Sequence, residues 1–151
     1  MMPWLTNDTT ISQIVSLLIA AVLGGLIGME REREQRPAGL RTYMLVCVGS
    51  ALFTILSINA FPGVPRDTAR VAAQVVTGIG FLGAGTVWRS QDRVSGLTTA
   101  AGLWVAAAIG MATGAGMGAL ALAATVLVLI VLAVFLRLER AFLHHDHQRE
   151  E

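Results

Sequence analysis

Asp67, Arg70 and Gln74 recur at intervals of three and four residues, so on a helix they share a face, with Thr77 near it. A carboxylate, a guanidinium and an amide at that spacing can bind an ion or polar solute. They can equally tie one helix to its neighbours. Asp67 is also placed to cap the helix that follows, where a carboxylate suits the positive end of the dipole. Arg70 suits that end poorly and needs a compensating partner, for which Asp67 is nearest. A second charged group runs from Glu30 to Arg36, with Glu30 and Arg33 on neighbouring turns of a mixed-charge collar. Arg41 follows where the next apolar stretch begins. Ser95, Thr98 and Thr99 form a third group: Ser95 or Thr98 can cap a helix opening at Leu97, leaving the other hydroxyls for a neighbour or a cavity. His144, His145, Asp146 and His147 could hold a transition metal, but a solvated tail is the simpler reading. No catalytic set is expected. Histidine is missing from the apolar stretches, the single Cys47 has no base beside it, and no two carboxylates share a stretch. A nucleophile without a base is hard to activate, so the chain reads as non-enzymatic, with no cofactor and no metal.

The elements that must position these residues follow from charge-free runs. Of 151 residues, 54% are hydrophobic and only 14% charged, with mean hydropathy +0.65; soluble domains carry about 25% charged residues. No Asp, Glu, Lys or Arg occurs in Thr9–Met29, Thr42–Pro65, Val71–Trp88 or Val94–Leu136. About 20 residues cross a bilayer as a helix. The first three runs each fit one crossing, and the fourth is long enough for two, turning at Gly114–Gly118. The expected fold class is therefore an all-α integral membrane protein of about five transmembrane helices. They fall near Ile11–Met29, Thr42–Ala60, Arg70–Trp88, Leu97–Thr113 and Gly118–Leu136. A barrel is disfavoured, because the runs are too long for strands of about 10 residues and do not alternate. Residues 1–143 form the membrane domain and 144–151 a short tail. Met1–Thr10 has no positive n-region, so the first run is expected to remain a span.

All 11 basic residues are arginine. They gather in the first and third connections and the C-terminal segment, which places the N-terminus outside and the C-terminus in the cytoplasm. A net charge of +1 gives no nucleic-acid surface. The partners expected are the lipid bilayer, a further copy of the chain, or other membrane proteins. Gly24/Gly28 and Gly110/Gly114/Gly118 have the four-residue spacing that lets helices approach closely in lipid. Gly78, Gly80, Gly83 and Gly85 are denser still and make the third span the leading packing surface, either as a tight helix or as a locally broken one. Gly78–Gly83 also spells GxGxxG, but mid-span, without the strand and helix opening that a dinucleotide site requires. Cys47, mid-span, reads as a small buried hydrophobe.

Three motifs carry a resemblance. Glu30 with Arg36-Pro37-Ala38-Gly39-Leu40-Arg41-Thr42, the run Asp67–Gly85, and Gly96-Leu97-Thr98-Thr99-Ala100-Ala101-Gly102-Leu103-Trp104 resemble, in order, the signatures of the MgtC/SapB family. The resemblance implies a bacterial inner-membrane protein of about five helices, linked to growth in low magnesium, pathogen survival in macrophages and acid resistance. It implies action either as a magnesium transporter or through membrane contacts of the kind that inhibit the rotary ATP synthase. It marks Glu30, Arg41, Asp67, Arg70, Gln74, Thr98 and Thr99 as candidate functional residues, and Gly78, Gly80, Gly83 and Gly85 as motif glycines. Ending soon after its last span, the sequence resembles the short form without the soluble ACT-like domain.

Overall fold

Long uncharged runs leave a backbone in lipid no partner but itself, and the chain meets that demand with five helices. The computed structural model describes residues 7–60, 67, 69–90 and 93–146, with side chains between 9 and 134. Its helices are α1 (Asn7–Arg33), α2 (Leu40–Asn59), α3 (Ala69–Ala84), α4 (Leu97–Gly114) and α5 (Gly118–Asp146). Three of them, α1, α2 and α4, are long and apolar enough to cross a membrane; α3 and the segment Gly118–Val134 of α5 are shorter apolar helices.

Local chemistry explains where the helices stop. At the end of α1, Arg36 N–H donates to the Arg31 carbonyl and Gln35 N–H to that of Glu32, both at 3.0 Å. Gln35 takes a left-handed φ of 52°. This pair of bonds is a Schellman closure, and Pro37 follows it. At the end of α4 the same closure recurs, with Met117 N–H on Ala112, Gly116 N–H on Thr113 and Gly116 at φ 78°. That is the turn expected within Gly114–Gly118.

Two boundaries differ from expectation. The third helix stops at Ala84 instead of running to Trp88, making it about 24 Å long. Gly85 and Thr86 turn the chain, and the Thr86 hydroxyl donates to the Gly83 carbonyl at 2.8 Å. Trp88 then opens a short antiparallel hairpin, β1 (Trp88–Ser90) with β2 (Arg93–Ser95), pairing Trp88 with Ser95 and Ser90 with Arg93. No strand was expected in a chain read as all-α. The fifth helix runs on past the expected end of its span at Leu136, through His144, His145 and Asp146. His147, Trp4 and most of the connection from Phe61 to Ala69 lie outside the described residues.

Packing is organised around α2. On α1, a β-carbon at Gly28 would lie 2.7 Å from Leu40 Cα, and one at Gly24 would lie 2.7 Å from the Tyr43 carbonyl oxygen, so α1 and α2 run antiparallel. On α4, Gly102 meets Tyr43, Gly110 meets Cys47 and Gly114 meets Ala51, so α2 and α4 run parallel. Gly83 of α3 rests on Ala100 of α4, which makes α3 antiparallel to both. The core of Ala20, Leu23, Ile27, Tyr43, Cys47, Ala51, Leu103, Ala106 and Ile109 fills these seams. Two hydrogen bonds cross the α2–α4 seam: Tyr43 Oη to the Thr99 carbonyl at 3.3 Å, and Cys47 Sγ to the Ala106 carbonyl at 3.0 Å. Cys47 is buried as expected and is also a donor.

Candidate functional site

The small-residue seam is where the structure departs most from the sequence reading. The tight contacts belong to Gly24, Gly28, Gly102, Gly110 and Gly114. In the third helix Gly83 alone packs on a neighbouring helix. Gly78 and Gly80 face open space, and Gly85 meets only the carbonyls of its own turn. The run Ala69–Ala84 is one unbroken helix. A helix this rich in glycine yet packed through one edge presents most of its surface outward.

That outward surface carries the polar residues. Arg70, Gln74 and Thr77 are exposed, and Phe81 continues their stripe by helical spacing. Phe81 is 83% exposed. Thr77 donates its hydroxyl to the Ala73 carbonyl at 3.0 Å, a local bond that satisfies it within the helix. Gln74 has no hydrogen-bond partner among the described residues. Beside the stripe, α2 and α3 diverge to leave an open cleft of about 770 Å³. Its walls are apolar except for Thr42, Ser50 and Gln74, with Phe53 and Leu56 at one end and Leu82 at the other.

Asp67 accepts a hydrogen bond from the Ala69 amide at 3.1 Å, which is the cap the sequence predicts. The expected ion pair with Arg70 does not form among the described residues, because the carboxylate is turned toward the helix terminus. Gly96, not Ser95 or Thr98, stands at the N-cap of α4, with no side-chain cap. Its φ is 92°, and a β-carbon there would lie 1.9 Å from the Thr86 carbonyl oxygen. The close return of the hairpin onto the end of α3 thus excludes any side chain. Thr98 is exposed. Thr99 is buried, and its carbonyl receives the Tyr43 hydroxyl.

The charged collar is also rearranged. Glu30 pairs with Arg31, not Arg33, through Nε and through Nη2 at 2.6 Å. Arg31 is only 1% exposed, the largest fully buried side chain described. Glu32 reaches across the turn, and its Oε2 accepts the Leu40 amide at 2.8 Å. A distant carboxylate thereby caps α2, whose own N-cap is Gly39. Arg41 is exposed and makes no ion pair among the described residues. The structure therefore keeps Glu30 and Arg41 apart from the Asp67–Arg70–Gln74 stripe, and Thr99 in a third place, the α2–α4 seam. Arg31 and Glu32 were missed. Arg31 was legible in principle, because the buried positions Ala20, Leu23 and Ile27 continue to it at helical spacing.

A model of the MgtC family matches residues 17–141, taking in most of α1, all of α2 to α4 and most of α5. The chain belongs to the MgtC family. It is 47% identical over 128 residues to YhiD of Escherichia coli K12, covering 81% of this chain and 60% of that one. It is 51% identical over 116 residues to protein MgtC of Salmonella typhimurium LT2, covering 77% and 49%. A Haemophilus influenzae protein is 41% identical over 141 residues, covering 88% and 59%. The chain thus spans about half to three-fifths of the length of the curated relatives it matches. No solved structure matches it. With its apolar helices, this member of the MgtC family is a mostly helical membrane protein.

Proposed function

We propose that the chain acts in magnesium homeostasis at the bacterial inner membrane as a multi-pass, non-enzymatic regulator. In this reading it works through contacts inside the bilayer, with its N-terminus outside and C-terminus in the cytoplasm. The carrying observation is the bare backbone of α3: Gly78, on the α2–α3 cleft, and Gly80, on the opposite flank of the helix, each meet nothing within 4 Å among the described residues, and Phe81 stands out between them. Small residues that leave a helix backbone bare allow another helix to approach closely. Among the described residues, no helix of the chain occupies that approach. The E. coli K12 relative, whose name refers to magnesium, supports the physiological setting.

The test uses the vacancy. Leucine at Gly78 or Gly80 enters open space, so the fold should survive and any loss is assigned to contact with a partner. Growth in low magnesium and co-purification of membrane partners should both fall for Gly78→Leu and Gly80→Leu. Wild-type behaviour in both assays, with normal expression, refutes the reading.

A second reading, carriage of magnesium or protons by an oligomer, is favoured by the name of the E. coli relative, which proposes magnesium transport. The cleft beside Gln74 would be its path. Reconstitution into sealed liposomes with ion indicators separates the two: flux abolished by Gln74→Ala supports carriage.

A further inference from the structure

Resting on the reading of α3 as a contact surface, we infer that its first occupant is a second copy of this chain, packed about a two-fold axis along the membrane normal. The axis would run beside the stripe Arg70, Gln74, Thr77 and Phe81.

Four features of one face support a self-complementary fit. A two-fold contact must carry both members of every interacting pair on the same surface. An axis along the normal also sets like residues at one depth. Gln74 meets the hydrogen-bond half of that requirement. Its amide both donates and accepts, so Gln74 and Gln74 of the partner subunit satisfy each other reciprocally. In a single copy Gln74 is exposed and unpartnered among the described residues, which is costly where lipid is the only other neighbour. Phe81 meets the steric half. It is the most exposed large apolar side chain described, at 83%. It lies one residue from Leu82 and three from Gly78, which line the α2–α3 cleft. A knob and a hole at the same depth on one face are what an isologous interface needs.

Charge meets the third part. Asp67 and Arg70 lie one turn apart at the same end of α3, both exposed and not paired with each other. The two-fold brings Arg70 toward Asp67 of the partner subunit, supplying the compensation that Arg70 lacks among the described residues of its own chain. The fourth feature is steric freedom, since the bare backbone at Gly78 leaves room for the incoming ring. A passing lipid could fill the cleft, but a saturated tail would leave the Gln74 amide without a hydrogen bond.

The test is a cysteine scan of α3 in native membranes, under mild oxidation, on the full chain. Cys47 is the single native cysteine and is buried, so the wild type is the blank. Disulfides need Cα atoms within about 7 Å, so cysteine at positions 70, 74, 77 and 81 should cross-link about tenfold faster than at 73 and 76. Gln74→Leu should lower the dimer fraction several-fold, measured by cross-linking at position 77. Uniform cross-linking, none, or a peak on the Ala73/Val76 side overturns the inference, as does a monomer purified with lipid in the cleft. If the scan fails while Gly78→Leu and Gly80→Leu still abolish growth in low magnesium, the contact reading stands with another partner. If the scan succeeds while growth is unaffected, the dimer stands and the regulatory reading falls.

Discussion

Replacing Gly110 with alanine tests the central seam. The added β-carbon would lie 2.2 Å from the Cys47 carbonyl oxygen and 2.9 Å from Cys47 Cα. Ordinary contact begins at 3.4 Å, so α2 and α4 must part by about 1.2 Å at this level. Both partners are backbone, and no side-chain rotation relieves the clash. Separation on that scale also breaks the 3.0 Å bond from Cys47 Sγ to Ala106 and the 3.3 Å bond from Tyr43 to Thr99. Overpacking of a close seam costs about 1–3 kcal/mol. Each lost interhelical hydrogen bond adds about 0.6 kcal/mol. Against this, alanine gains about 1 kcal/mol in helix propensity over glycine. Gly78→Ala has the same propensity gain and no clash, since its β-carbon meets nothing within 4 Å. The pair should therefore differ by about 3 kcal/mol, on the order of a hundredfold in unfolding equilibrium. Equilibrium unfolding in mixed micelles, followed by far-UV circular dichroism, measures the difference. Equal stabilities for Gly110→Ala and Gly78→Ala would refute the geometry of the seam.

Three further outcomes follow from the same structure. Gly96→Ala combines a left-handed φ with a β-carbon 1.9 Å from the Thr86 carbonyl, and should lower the yield of folded protein far more than Gly118→Ala, which meets open space. Glu32→Ala should lose the remote cap of α2 and about 1 kcal/mol of stability; Glu32→Gln, which keeps an acceptor, should lose less, both read by thermal denaturation. Removing Glu30 alone strands a buried guanidinium, and breaking such pairs costs about 3–5 kcal/mol. The double variant Glu30→Ala with Arg31→Met should therefore be more stable than Glu30→Ala alone in the same unfolding assay.

The seam also explains why the fold tolerates so little polar mass. Threonines inside the helices satisfy themselves: Thr54 on Ser50, Thr113 on Gly110 and Thr125 on Ala121 each donate to a carbonyl of their own helix. Such bonds hide the hydroxyl from lipid without recruiting a neighbour. Across the α2–α4 seam, the groups that reach the other helix, Tyr43 and Cys47, both sit where glycine or alanine on α4 has removed the obstacle. Close approach and cross-helix hydrogen bonding are thus one device, and α2 holds both.

The membrane character, the number of helices and the turn at Gly114–Gly118 were legible in the sequence alone. They depend on one-dimensional quantities: the length of uncharged runs against a hydrocarbon core of about 30 Å, and turn residues that act within a few positions. The cap at Asp67 was legible for the same reason, since donor and acceptor lie two residues apart. The three motifs likewise pointed to the family. Tertiary structure alone decided which glycines pack. Gly80 and Gly110 sit in similar local sequences, yet one faces open space and the other a carbonyl 2.2 Å from its missing side chain. Spacing marks a face as small without saying which helix approaches it. Tertiary structure also chose Arg31 over Arg33 as the partner of Glu30, and Glu32 as the cap of a helix eight residues away. It placed Gly96, in place of Ser95 or Thr98, at the start of α4. In each case the deciding neighbour comes from another element, and its position exists only once the helices have packed.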